Sequence, residues 1–311
     1  MRRTTTVLTG LTAALSLALS ACGSDSEDPM AEGSEGSGGG DSVVVGSANF
    51  SESALLAEIY AGALEADGVD VETKLNIGSR EVYIKAIEDG GANNGIDVVP
   101  EYTGVLRDYF AGDTEVTATD SQGVYDELVE VLPDGLVVGE FSQAQDKDAV
   151  VVTQETAEKY SLTEIGDLAE VAGDLTLGGP PEWKTRQTGL PGLEEVYGVE
   201  FGEFTETDAG GPLTLKALTQ GRIDAGNLFT TNPQIPANDL VVLEDPEALF
   251  GSQNIVPLMR EEVAGDVEAT LDEVGQKLTT DALTDLVAQV DIDKEDPADV
   301  AEQWLADNDL D

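Results

Sequence analysis

Residues 96–104 read Ile-Asp-Val-Val-Pro-Glu-Tyr-Thr-Gly, a short apolar run that passes directly into a polar and aromatic turn. The run at 96–99 predicts a buried strand, and Pro100 predicts its end because proline cannot donate to a sheet ladder. Ligands of open α/β sheets bind beyond the carboxyl ends of the strands. Tyr102, with an apolar face and a polar tip, is therefore a candidate ligand contact. The alternative is a strand-to-helix turn in which Tyr102 only packs on its neighbours.

The segment before this turn alternates between predicted strands and predicted helices. Residues 43–46 and 69–75 have strand patterns, and helices are predicted after Ser51 and after Ser79. This order within about sixty residues indicates parallel βαβ units. The helices start on the carboxyl side of the strands, so Asn49, Ser79 and Tyr102 should converge on one rim. Free N–H groups at two helix starts would suit an anionic group there.

The strand and helix pattern restarts after residues 141–148. Strands are predicted at 149–153, 175–178, 240–243 and 255–258, and a strand feeding a loop at 223–231. Glycines at 178–179 allow backbone to approach a ligand closely. The segment lacks the Gly-Lys-Ser/Thr ending of a phosphate loop. The sequence thus predicts two α/β lobes with a ligand cleft between them, made of residues 42–143, 144–236 and a return to the first lobe at 237–311.

The amino-terminal residues have the features of a secretion signal. Arg2 and Arg3 precede an apolar run at 7–19, which is too short to span a membrane as a helix, and small residues follow. Residues 1–21 are therefore predicted to be a lipoprotein signal peptide, and Cys22 directly after Leu-Ser-Ala is similar to a lipid-modified cysteine. Residues 22–41 are rich in Gly, Ser and acids and predict a flexible tether.

The composition favours binding over catalysis. Histidine is absent and Cys22 is the only cysteine, which excludes Ser-His-Asp and Cys-His catalysis, His- or Cys-ligated zinc and disulfides. No cofactor is predicted. The acidic run at 291–295 is not predicted to be a metal site, because it lacks the glycine of an EF-hand loop. The chain has 63 acidic and 15 basic residues and a formal charge of −48. Such a surface repels nucleic acid and suits high salt.

Six motifs, in this order, resemble one family. They read Gly-Ser-Ala-Asn-Phe-Ser-Glu (46–52), Asn-Ile-Gly-Ser-Arg-Glu (76–81), Pro-Glu-Tyr-Thr-Gly (100–104), Gly-Gly-Pro-Pro-Glu (178–182), Leu-Glu-Asp (243–245) and Asn-Ile-Val-Pro (254–257). The family is that of osmoprotectant substrate-binding proteins of ABC importers, which take glycine betaine, choline or carnitine. The resemblance implies a two-lobe, type II periplasmic-binding-protein fold without catalytic activity. It also implies a lipid-anchored protein outside the cell that closes on its ligand and delivers it to permease and ATPase subunits.

The resemblance also implies roles for single residues. A quaternary ammonium is held by aromatic faces through cation–π attraction, and Tyr102 matches one such ring while Phe229 is expected to supply another. Arg186 matches an arginine expected, with the backbone near Ser79, to bind a ligand carboxylate. The polar rim is expected to comprise Asn49, Asp148 and Thr230. Relatives often have Tyr where Leu190 stands, so fewer rings are expected here. They also often have Asp where Asn232 stands.

Three alternatives remain open from the sequence alone. The same fold could bind another small polar amine, an amino acid or a thiol-betaine, with Asp146 and Asp148 attracting its positive charge. The protein could instead be a sensor or an adhesion component. A hydrolase that uses paired carboxylates would need two of them about 5 to 9 Å apart in one cavity.

Overall fold

The computed structural model describes residues 42–90, 95–112, 114 and 116–311, and these residues belong to one compact unit. The predictions for the signal peptide, for Cys22 and for the tether at 22–41 lie outside the described residues. The strands are β1 (Val43–Gly46), β2 (Val71–Lys74), β3 (Val98–Tyr102), β4 (Leu136–Val138), β5 (Asp148–Thr153), β6 (Thr176–Gly179), β7 (Glu203–Glu206), β8 (Ala225–Phe229), β9 (Leu240–Val242) and β10 (Ile255–Arg260).

The helices surround two separate sheets. They are α1 (Ser51–Ala66), α2 (Arg80–Asp89), α3 (Thr103–Ala111), α4 (Ser121–Val131), α5 (Gln154–Tyr160), α6 (Leu190–Tyr197), α7 (Pro212–Thr219), α8 (Gln234–Ala237), α9 (Glu261–Lys277), α10 (Thr280–Ala288) and α11 (Pro297–Asp307). Short 3-10 turns cover Ile165–Glu170, Ala172–Asp174 and Pro181–Lys184, and a π turn covers Gln289–Asp293.

The first sheet has the strand order β2-β1-β3-β10-β4. β1 runs parallel to β2 and β3, whereas β10 is antiparallel to β3 and β4. Alternate residues of each strand point to opposite faces, so Val45 and Val98 pack under α1 and α9–α11, while Val44 and Val99 pack under α2–α4. The parallel units predicted for the amino-terminal part are therefore present, in a mixed sheet.

The second sheet has the order β7-β6-β8-β5-β9. β6 is parallel to β7 and β8, and β5 is antiparallel to β8 and β9. One face packs on α5, α6 and the 3-10 turns through Val150, Val152 and Leu177, and the other on α7 and α8 through Val151 and Leu228. Each lobe is thus a sheet with helices on both faces.

The chain crosses between the lobes twice, from β4 to β5 and from β9 to β10. The two crossing segments lie side by side: Gln145 and Asn254 form an antiparallel bridge, and further backbone hydrogen bonds join Ser142 and Ala144 to Ile255 and Asp146 to Gln253. The return to the first sheet is at β10, not at residue 237 as the sequence indicated. β9 follows that predicted boundary but pairs with β5 in the second sheet, and Leu243 packs in the second lobe.

Pro100 does not end β3, which continues to Tyr102. Its partner across the sheet is Pro257 of β10. Directly opposed residues of an antiparallel pair either exchange both hydrogen bonds or exchange neither, so two opposed prolines leave no missing donor. The prediction of a strand end at Pro100 was wrong because it considered only one strand.

Within the described residues, no helix is sufficiently long and apolar to cross a membrane.

Candidate functional site

A cavity of about 270 Å³ lies between the two lobes. The first lobe contributes the ends of β1 and β3 and the start of α2, and the second contributes the ends of β6 and β8 and the start of β5. The described residues that line it are Ala48, Asn49, Phe50, Ser79, Arg80, Tyr83, Tyr102, Val105, Asp146, Asp148, Pro180, Pro181, Glu182, Trp183, Arg186, Thr207, Asp208, Ala209, Asn227, Phe229 and Gln253.

Three of the lining rings form a continuous aromatic surface across the cleft. The ring centroid of Phe50 lies 6.2 Å from that of Tyr102 and 5.1 Å from that of Phe229. Phe50 and Tyr102 belong to the first lobe and Phe229 to the second. Tyr83 and Trp183 also border the cavity; Trp183 is 1% exposed and stacks on Phe250. A cation enclosed by such faces gains cation–π attraction without needing N–H donors.

A buried ion pair anchors Tyr83 and Tyr102, two of the aromatic residues that border the cavity. Arg80 donates to both carboxylate oxygens of Glu101 at 2.7 and 2.9 Å. The Tyr83 hydroxyl and the Tyr102 backbone N–H donate to the same carboxylate. Glu101 is fully buried and Arg80 nearly so. The hydrogen-bonding capacity of Glu101 is therefore used within the protein, and Arg80 is already neutralised.

The residues that the sequence proposed for an anionic group pair with another residue of the chain. Arg186 donates to both carboxylate oxygens of Glu81, at 3.1 and 2.9 Å, and Ser79 Oγ donates to Glu81 at 2.7 Å. Burial alone would raise the pKa of Glu81, but the hydrogen bonds from Arg186 and Ser79 lower it to about 2. Glu81 lies on α2 and Arg186 in the second lobe, so this pair joins the lobes at the edge of the cavity.

A second contact between the lobes is made by two buried carboxyl groups. Glu52 on α1 accepts hydrogen bonds from the hydroxyls of Tyr102 at 2.7 Å and Thr231 at 2.6 Å. Asp146, on the first crossing segment, accepts from the Thr231 backbone N–H and the Thr230 hydroxyl. Burial raises the pKa of both carboxyls, and the negative charge of Glu52 raises the pKa of Asp146 further. Because like charges disfavour ionisation of both groups, the pair is expected to hold a shared proton.

Asp148 and Asn227 form a polar patch beside the ring of Phe229. Asn227 Nδ2 donates to Asp148 Oδ1 at 2.7 Å. In the β5–β8 register Asp148 is opposite Phe229, and Asn227 precedes Phe229 by two residues on β8. All three side chains therefore belong to one face of the second sheet. Burial raises the pKa of Asp148, although Asn227, Arg186 and Arg80 oppose that shift.

Six of the seven ligand contacts proposed from the sequence border the cavity. These are Asn49, Ser79, Tyr102, Asp148, Arg186 and Phe229. Thr230 does not. Its hydroxyl donates to Asp146 and accepts from the Lys147 backbone N–H, so it supports the crossing segment.

Several residues that line the cavity were not among the ligand contacts predicted from the sequence. The main ones are Phe50, Arg80, Tyr83 and Asn227. Phe50 and Arg80 stand inside the quoted motifs at 46–52 and 76–81, and this placement was an available signal. For Asn227 no local signal exists, because its importance depends on Asp148, 79 residues earlier.

Two mixed α/β lobes joined by two crossing segments, with a cavity between them, define the two-lobe class of solute-binding proteins. Residues 41–307 match the family model described as the substrate binding domain of ABC-type glycine betaine transport systems. The chain belongs to this family, whose members are extracytoplasmic binding components of ABC transporters and not enzymes. The fold and the transport role predicted from the sequence are confirmed.

Individual proteins agree with this assignment. The chain is 28% identical over 276 residues to the glycine betaine-binding protein YehZ of Escherichia coli, covering 85% of this chain and 89% of the relative. It is 25% identical to the carnitine transport binding protein OpuCC of Listeria monocytogenes, covering 86% and 87%. A crystal structure of a glycine betaine/carnitine/choline ABC transporter protein has the same fold, with a TM-score of 0.65, 24% identity and coverage of 86% and 99%.

Proposed function

We propose that this protein captures a small quaternary-ammonium osmoprotectant in the cleft and delivers it to its permease. The ligand class comprises glycine betaine, choline, carnitine and similar compounds. The observation that carries the proposal is the continuous aromatic surface of Phe50, Tyr102 and Phe229 on a cavity of about 270 Å³. The ligands named for the relatives support it. Asn49, Ser79, Asp148 and Arg186 are proposed as polar contacts around this surface.

The test is a thermal-shift and calorimetric panel on the fragment of residues 42–311. A ligand at a hundred times its dissociation constant adds about 2.7 kcal/mol of stability. We expect quaternary ammonium compounds to raise Tm. The Phe229→Leu substitution should weaken their binding about tenfold, since cation–π attraction at a desolvated ring contributes about 1–2 kcal/mol. Tyr109→Leu is the control, because Tyr109 is an exposed ring outside this cavity.

Two results of this panel would contradict the proposal. If only amino acids, non-quaternary amines or thiol-betaines such as ergothioneine stabilise the protein, or if Phe229→Leu has no larger effect than Tyr109→Leu, the quaternary-ammonium proposal fails. The membership of the family would be unaffected, because it depends on the match over residues 41–307.

We also propose that Cys22 carries the lipid that holds the protein at the outer face of the cell membrane. The supporting pattern is the signal-like stretch at 1–21 followed by the tether at 22–41. Cys22→Ala should release the protein into the medium, whereas Cys22 labelled with palmitate identifies the anchor directly. Retention of the Cys22→Ala protein at the membrane would contradict the anchor.

The acidic composition is proposed to be an adaptation to high salt, since a formal charge of −48 is strongly self-repelling at low ionic strength.

A further inference from the structure

We infer that the ligand is a cation without a carboxylate and that it carries an O–H or N–H group which donates to Asn227. This inference rests on the proposed function and narrows it to cationic quaternary ammonium compounds with a hydrogen-bond donor. Two independent features of the cavity support it: an acceptor that lacks a donor, and an anion site that is already filled.

The first feature is the side-chain oxygen of Asn227. Asn227 is 0% exposed and borders the cavity. Its Oδ1 is the single buried side-chain polar atom of the described residues that has no hydrogen-bond partner. Leaving such a buried group unpaired is unfavourable, because its lost hydration is not replaced by a hydrogen bond. The orientation of the amide follows from Asp148 when that carboxyl is ionised, because exchanging oxygen and nitrogen would then place the amide oxygen 2.7 Å from a carboxylate oxygen.

The chemistry of this patch calls for a donor on the ligand. Asn227 Oδ1 is a hydrogen-bond acceptor. The neighbouring carboxyl of Asp148 is also an acceptor, and it carries a negative charge when it is ionised. A hydroxyl, or an N–H, fits both, whereas the carboxylate of a betaine would bring acceptor against acceptor. Phe229 on the same sheet face supplies a ring for the cationic end. A molecule with a cationic head and a donor a few bonds away therefore matches this face.

The second feature is that both arginines at the cavity already have carboxylate partners within the protein. Arg80 forms a bidentate ion pair with Glu101, and Arg186 forms a bidentate ion pair with Glu81. Glu81 also takes the hydroxyl of Ser79 at the start of α2. The position at which the sequence indicated a site for a ligand carboxylate is therefore filled by a carboxylate of the protein. A zwitterionic ligand would have to displace it.

The decisive measurement is calorimetric binding of matched ligands to the purified protein. Choline is compared with n-propyltrimethylammonium, which has the same size and charge but no donor, and with glycine betaine, which has a carboxylate and no donor. We expect choline to bind about tenfold more tightly than either, because a site built around a hydrogen bond rejects analogues that lack it. Equal affinities for choline and n-propyltrimethylammonium, or tighter binding of glycine betaine, would overturn the inference.

A variant assigns the effect to Asn227. In Asn227→Leu the affinity for choline should fall about tenfold, while that for n-propyltrimethylammonium should stay within about twofold, and its retained binding reports a folded site. An equal change for both ligands would contradict the role of Asn227. If Asn227→Leu does not fold, the ligand comparison on the unsubstituted protein still decides.

Failure of the proposed function gives a different result from failure of this inference. If none of the three compounds binds, the donor inference falls, and if carnitine does not bind either, the proposed function falls with it. If all bind and choline has no advantage, the quaternary-ammonium function stands and the donor subsite falls, with a buried water molecule then the expected partner of Asn227 Oδ1.

Discussion

Glu101 positions Tyr83 and Tyr102, two of the aromatic residues that border the cavity. It is fully buried and accepts from Arg80, Tyr83 and the backbone of Tyr102. Burying a single charge is costly, and removing one partner of a buried pair leaves the other charge uncompensated. The pair therefore fixes the position of Tyr102 more than it adds to net stability.

We expect Glu101→Gln to destabilise the protein by about 3–5 kcal/mol, because the charge of Arg80 then lacks a counterion. Chemical denaturation with and without ligand measures this. Glu206→Gln is the matched control: it also breaks an ion pair, with Lys184, but both partners are about half exposed, so the loss should be at most about 1 kcal/mol. Similar losses for the two variants would show that Glu101 is not a buried charge partner.

The carboxyl pair of Glu52 and Asp146 should make stability depend on pH. Nearby titratable groups are Asp148, Asp291 and the Tyr102 hydroxyl, none of which is a cation. Burial raises both pKa values above those of the unfolded chain. This stability is fully present below the ordinary Glu pKa of 4.5 and is lost as pH rises towards the raised values.

Thermal unfolding measured as the pH is raised above 4.5, the ordinary pKa of a glutamate, tests this, because the raised pKa values place the loss of these protons above that pH. Tm should fall as pH rises in the unsubstituted protein, and the slope should be smaller in Glu52→Gln, which keeps the shape without the charge. Glu81→Gln serves as control, since the pKa of Glu81 is about 2 and it stays ionised throughout this range. An unchanged slope in Glu52→Gln would rule out the shared proton.

At the scale of elements, the loop before α7 positions the ring at the end of β8. Gly210 has φ of +64°, and a Cβ there would lie 2.5 Å from a ring atom of Phe229. Gly221, on the other side of α7, has the same φ, but a Cβ would meet nothing within 4 Å. The two glycines therefore share the backbone requirement and differ in the contact.

We expect alanine at either glycine to cost about 1–2 kcal/mol in stability, the usual penalty for left-handed backbone in a residue with a Cβ. Only Gly210→Ala should also weaken ligand binding, by about tenfold, because it displaces a ring that contributes cation–π attraction. Calorimetry on both variants separates the two effects. Equal ligand affinities would mean that Phe229 adapts without loss.

The elements also show what the sequence could and could not predict. Buried strands such as β1 and β5 were predictable because their apolar residues are continuous. β7 was missed, since three of its four residues are exposed and it pairs only with β6 at the sheet edge. The pairing of Arg186 with Glu81 was not predictable, because 105 residues separate partners that meet only when the lobes approach.

At the scale of the whole molecule, the excess of acidic residues should set the salt response. The formal charge is −48, and the Debye length falls from about 10 Å at 0.1 M to about 3 Å at 1 M salt. Screening should relieve repulsion mainly in the compact state. We therefore expect Tm to rise by several degrees between 0.1 and 1 M NaCl.

The control for the salt measurement is sucrose at matched osmolality, which stabilises by exclusion from the surface without screening charge. A rise in NaCl that exceeds the rise in sucrose supports the electrostatic cause. If Tm is flat or falls with NaCl, self-repulsion does not limit the stability of this protein.

The central place of β10 in the first sheet has a consequence for biosynthesis. β10 lies between β3 and β4, yet it follows every strand of the second lobe along the chain. A nascent chain that has reached Phe250 contains the whole second sheet, while β3 and β4 still lack the strand that joins them. The first lobe can therefore be completed only after every strand of the second lobe has been translated. A premature stop anywhere before Ile255 leaves the first lobe unfinished, however much of the cavity wall has been made.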